Sequence, residues 1–65
     1  MDAKKIGRRL KMLRGKTPGR EVCKAVGISR STLSMYEQGQ RIPRDAIKGK
    51  LADYYKKSVQ ELFYD

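Results

Sequence analysis

Histidine is absent from the sequence, and Cys23 is its only cysteine. A lone thiol has no partner for an internal disulfide, and without imidazoles the chain cannot assemble the four ligands of a structural zinc site. Ser-His and Cys-His nucleophile pairs fall with the same absence. No other acid-base constellation takes their place, so neither an enzyme nor a metal nor a cofactor is expected. Apolar runs end after two or three residues, far short of the roughly 20 needed to span a bilayer. Met1 to Arg9 carry no signal-peptide pattern. These absences predict a soluble, cytoplasmic protein.

Acidic residues are scarce too. Seven Asp and Glu face sixteen Lys and Arg, a net charge of +9 on 65 residues, with a pI near 10.1. That is the balance of a polyanion binder, with nucleic acid the first reading. A membrane surface is the second, and would require the basic first helix to act alone. With hydrophobics at 38% and only two prolines, the chain is expected to fold despite its charge. It has room for one module, spanning residues 1–65. A domain this small buries only about 60% of its unfolded surface.

Ile6, Leu10 and Leu13 form the apolar stripe of a first helix, with Asp2 as N-cap and Gly15 as stop. Gly7 inside that pattern marks a close approach by another helix. Thr17-Pro18 predicts the start of a second helix, the threonine capping and the proline at the first helical position. Val22 and Val26 are its inner face and Gly27 its end. Ser29 caps a third helix with Leu33 and Tyr36 inward and Gly39 closing it. A loop from Gln40 to Pro43 leads to a fourth, from about Arg44 to Tyr55, carrying Ile47, Leu51, Tyr54 and Tyr55. Ser58-Val59-Gln60-Glu61 is a capping box for a short fifth helix with Leu62 and Phe63. No segment alternates with period two, so the fold is expected to be all-α.

Two short helices joined by Gly27-Ile28-Ser29 are a helix-turn-helix arrangement, in which the second helix is presented to the DNA major groove. With Leu33 and Tyr36 inward, Ser31, Ser34, Met35 and Gln38 point outward and Arg30 flanks them in the first turn. Arginine's forked guanidinium matches the two acceptors of guanine. Arg30 is therefore the leading candidate for a base contact, with Ser31 and Ser34 as hydroxyl partners and Met35 facing a thymine methyl. Phosphate contacts are expected at the head of the second helix, from Thr17, Gly19 and Arg20, and from Gln38, Arg41, Arg44 and Lys48. The cations of the first helix are expected to steer rather than touch.

The run Gly27-Ile28-Ser29-Arg30-Ser31-Thr32-Leu33-Ser34-Met35-Tyr36-Glu37-Gln38-Gly39, with Ile6-Gly7-Arg8-Arg9-Leu10 and Leu13-Arg14 before it and Pro43 and Ser58 to Phe63 after it, resembles the Cro and lambda-repressor-like family of bacterial and phage transcription regulators. The resemblance covers nearly the whole chain. It implies a compact five-helix fold, operator recognition by the helix starting at Ser29, frequent dimerisation, and pairing of Glu37 with Arg14. Family members often begin the second helix with Ser or Thr followed by Gln. Here Pro18-Gly19 stand there, so only backbone amides carry over. Cys23 replaces a small alanine and is expected to be a buried, inert thiol. Lys56 stands where glycine often ends the fourth helix. Either a left-handed lysine is tolerated at about 1 kcal/mol or the helix ends differently.

The expected function is a sequence-specific regulator of double-stranded DNA, a repressor acting as a homodimer on a near-palindromic operator. Val59, Leu62 and Phe63 are the expected dimer interface, as surplus apolar surface on a short helix. The alternative is a protein-interaction module, such as an antitoxin, built on the same fold.

Overall fold

The Asp2 carboxylate accepts from the Lys4 and Lys5 amides, each at 3.1 Å, so negative charge sits where a helix dipole favours it. The Lys5 amide is the main cause holding this carboxyl below its usual range. The computed structural model describes residues 1–65 and contains no strand. The helix that Asp2 opens, α1, spans Ala3–Arg14. It is followed by α2 (Gly19–Val26), α3 (Arg30–Glu37), α4 (Asp45–Tyr55) and α5 (Gln60–Tyr64). None is long and apolar enough to cross a membrane.

The second helix begins later than the sequence predicts. The Thr17 amide turns back to the Arg14 carbonyl at 2.9 Å, and Pro18, with ψ 138°, is the extended residue before the helix rather than its first member. No side chain caps α2, so the expected Thr17 cap is corrected. The cause is the short link from α1, which draws Thr17 into a turn on Arg14. At the other end Gly27, with φ 82°, ends the helix in the left-handed region. The Ser29 hydroxyl then caps α3 by accepting from the Thr32 amide at 3.1 Å.

Ends elsewhere follow the sequence closely. Gly39 closes α3 with φ 75°, while the Gln40 amide donates to the Met35 carbonyl at 2.9 Å and the Gly39 amide to Tyr36 at 3.2 Å. This is a Schellman closure. Lys56 ends α4 at φ 57° and ψ 43°, which settles the alternatives in favour of a left-handed lysine. The Ser58 hydroxyl accepts from the Glu61 amide at 3.0 Å, and the Glu61 carboxylate accepts from the Ser58 amide at 3.1 Å. That reciprocal pair holds the Glu61 carboxyl below its usual range. The segment it starts is wound as a π-helix. Carbonyls left over by this wider turn are gathered by Arg9, which donates to Glu61 at 3.3 Å, to Leu62 at 3.2 Å and to Asp65.

α1 packs on α3 and α5, and α2 on α3 and α4. Between them lie Ile6, Leu10, Val22, Cys23, Val26, Leu33, Tyr36, Leu51, Ala52, Leu62 and Phe63. Burial pushes the Cys23 thiol up, away from the reactive thiolate. Gly7 marks the tightest crossing, because a methyl there would lie 2.6 Å from the carbonyl oxygens of Tyr36 and Glu37. Tyr54 and Tyr55 meet edge to face at 5.0 Å. The Tyr55 hydroxyl is enclosed without a hydrogen-bond partner, and burial pushes its pKa up to about 12.

Leu62 and Phe63 keep only 2% and 3% of their surface exposed. They fill the core of their own chain, which corrects the expectation that they are surplus surface for a partner. On the same segment Val59 and Tyr64 remain exposed.

Candidate nucleic-acid interface

The outward face of α3 is set by what its inner face must bury. Leu33 and Tyr36 point into the core, and Arg30, Ser31, Ser34 and Gln38 are exposed, while Met35 is half-buried. The hydroxyls here are tied to one another. Ser29 donates to Thr32 Oγ1 at 2.8 Å and lies 3.2 Å from Ser31 Oγ, and Gln38 Nε2 donates to Ser34 Oγ at 2.9 Å. A ligand that engages Ser31, Ser34 or Gln38 must therefore share or displace weak side-chain bonds rather than order free rotors.

Glu37 braces this helix against α1. Arg14 Nε donates to one Glu37 carboxylate oxygen at 2.7 Å and Nη2 to the other at 3.0 Å, while Nη1 reaches the Thr17 carbonyl at 3.0 Å. The side chains keep 23% and 9% exposure, so this bidentate pair is more enclosed than two surface charges. The Glu37 bond raises the Arg14 pKa further above its ordinary value. One guanidinium thus joins α1, the link before α2 and the end of α3.

Arg14, Gly19, Arg30, Leu33, Ser34 and Glu37 line a single cleft between the head of α2 and α3. The Thr17 amide is spent in its turn, which leaves the Gly19 and Arg20 amides without backbone acceptors at the head of α2. Arg20, Arg41 and Arg44 are exposed, and none forms an ion pair.

Lys48 departs from the expected pattern. It is 6% exposed, its Nζ donates to the Tyr64 hydroxyl at 2.9 Å, and it lies 4.9 Å from the Tyr64 ring centre and 5.9 Å from that of Phe63. Asp45 stands 3.6 Å away. The bond to Tyr64 is the chief reason its pKa is raised. Lys48 holds α5 and is not a free cation for phosphate, a correction to the sequence reading. A sequence signal existed: Lys48, Leu51, Ala52 and Tyr55 share one helical stripe. Arg9, one of the cations expected only to steer, is likewise committed to α5.

The model of the helix-turn-helix family matches residues 6–62. The chain belongs to this family of DNA-binding transcription regulators. Within the helix-turn-helix family its fold is the lambda-repressor-like one. The chain is similar to the crystal structure of the restriction-modification controller protein C.AhdI from Aeromonas hydrophila. The two share 31% identity and a TM-score of 0.85, over 95% of this chain and 97% of that one. No curated protein matches the sequence.

Proposed function

We propose that this helix-turn-helix protein is a repressor that binds a double-stranded operator as a homodimer and reads the major groove with α3. The observation that carries the reading is the exposed row Arg30, Ser31 and Ser34, on a helix capped at both ends and braced by Arg14 and Glu37. A rigid helix with a short, polar outward face is what groove entry demands. Arg30 reads a guanine edge, Ser31 and Ser34 take adjacent base positions, and Met35 lies against a thymine methyl. Thr17, Arg20, Gln38, Arg41 and Arg44 hold phosphates, while Gly19 lies buried beneath Arg30. The likeness to a restriction-modification controller supports a regulatory role for that binding.

Dimerisation doubles the read sequence, and the surface left for it at α5 is Val59, the residue before the helix, and Tyr64, 36% and 51% exposed. Repression follows from occupancy where the operator overlaps a promoter. The test is selection of bound duplexes from a random DNA pool. An enriched near-palindrome with half-sites about 34 Å apart is the expected result, and that site placed over a reporter promoter should silence it. A pool that stays random overturns the reading.

A further inference from the structure

The first residue of α2 is a glycine whose backbone does not require one. Gly19 lies outside the positive-φ region where Gly15, Gly27 and Gly39 fall. Glycine in a helix is unfavourable relative to alanine. The demand comes from elsewhere: a methyl on Gly19 would stand 3.1 Å from Arg30 Nε and 3.5 Å from both Arg30 Cζ and Leu33 Cδ2. Arg30 reaches across from the head of α3 and lays its guanidinium on the bare backbone at the head of α2.

No charge pair holds it there. The carboxylate nearest in the cleft, Glu37, already accepts two hydrogen bonds from Arg14, and Arg30 takes part in no ion pair or side-chain hydrogen bond. The guanidinium therefore keeps its whole charge and all five donors, while packing restricts its direction. An arginine directed in advance loses less freedom when it meets a base.

We propose that Gly19 is a specificity-determining residue acting through Arg30: its bare backbone is the shelf that fixes which base position the arginine reads. The inference rests on the reading of α3 as the DNA-facing helix. A methyl at position 19 makes the guanidinium give by a few tenths of an ångström, and a larger side chain displaces it further. Because the atoms met belong to the far end of a flexible side chain, the displacement leaves the fold intact.

The experiment compares wild type, Gly19→Ala, Arg30→Ala and the double variant on the enriched duplex, on its single-base variants and on a scrambled duplex. Circular dichroism and ¹⁵Nε relaxation of Arg30 are measured alongside. Gly19→Ala should keep its helicity, hold scrambled-duplex affinity within about twofold, and lose about tenfold in preference at one base position. The same change in the Arg30→Ala background should do nothing. Arg30 Nε–H should be ordered in the free wild type and mobile in Gly19→Ala. Equal loss on every duplex, with or without Arg30, overturns the proposal and makes Gly19 a point of phosphate approach. Unchanged base preference, or an Arg30 equally mobile in both proteins, also overturns it. Failure of the underlying DNA reading is separately visible, because wild type would then enrich no site, and the proposal falls with it.

Discussion

Cations meet opposite fates in two parts of this molecule. Around α2, α3 and the loop after them, Arg20, Arg41 and Arg44 stand in solvent with no acidic partner. On the side where α1 and α4 grip α5, Arg9 gathers three backbone carbonyls and Lys48 lies under two aromatic rings. A net charge of +9 therefore overstates what is free to meet a polyanion. Part of the positive charge replaces apolar packing that so short a chain cannot supply.

Gly7 joins the two parts, and Gly7→Val should have the largest effect. Its side chain would strike two carbonyls of α3 and cost about 3 kcal/mol. Roughly 3 to 10 kcal/mol is all the stability that a domain of this size has. Thermal unfolding should show a large fall in midpoint or no folded baseline. Arg14→Ala comes next, at about 2 kcal/mol, because it leaves the nearly enclosed Glu37 unpaired, though some solvent at Arg14 already screens the pair. Denaturant titration measures it.

Committed and free cations should separate cleanly when each kind is removed. Arg9→Ala should lower stability by about 1.5 kcal/mol, the low end of the scale for hydrogen bonds from a charged group because solvent reaches these bonds, and Lys48→Met should loosen α5, with its amides exchanging faster. Both should leave the salt dependence of DNA binding unchanged. Arg41→Ala and Arg44→Ala should do the reverse, reducing the slope of log affinity against log salt by about 0.9 for each phosphate no longer neutralised. A change of slope in Lys48→Met would erase the distinction.

Smallest is a pH effect. Asp2 and Glu61 have carboxyls held below their usual range in the folded state, so the folded form binds fewer protons there. Their contribution is present above the ordinary carboxylate range and is lost as pH falls through about 4 and below. Acid titration of Asp2→Ala should show a shallower loss of stability than wild type.

Caps were legible in the sequence because they are local. Ser29 and Ser58 reach amides three residues ahead, and Gly7 pointed to a close crossing because glycine is unfavourable in a helix interior, although Gly49 in α4 meets no neighbour. The outward face of α3 was legible for the same reason, since helical spacing fixes it once Leu33 and Tyr36 point inward. The start of α2 was misread because its geometry depends on how the chain leaves α1. Lys48, Leu62 and Phe63 were misread because their burial depends on where the five residues of α5 dock, between α1 and α4, through packing across long stretches of sequence. The crossing of Arg30 over Gly19 joins two helices and left no local trace beyond the glycine.

The unpartnered Tyr55 hydroxyl gives the molecule an alkaline edge. In the unfolded chain a phenol ionises near pH 10, whereas within the fold burial delays that step to about 12. Between those values the unfolded chain releases a proton that the folded one keeps, so each increment of pH favours unfolding. The same region contains the pI, near 10.1, where vanishing net charge ceases to keep molecules apart in solution. Loss of colloidal repulsion and weakening of the fold therefore coincide on the alkaline side. Because the sequence has no tryptophan, tyrosinate absorbance read beside helicity would follow the ionisation from within the protein, and light scattering would follow the association.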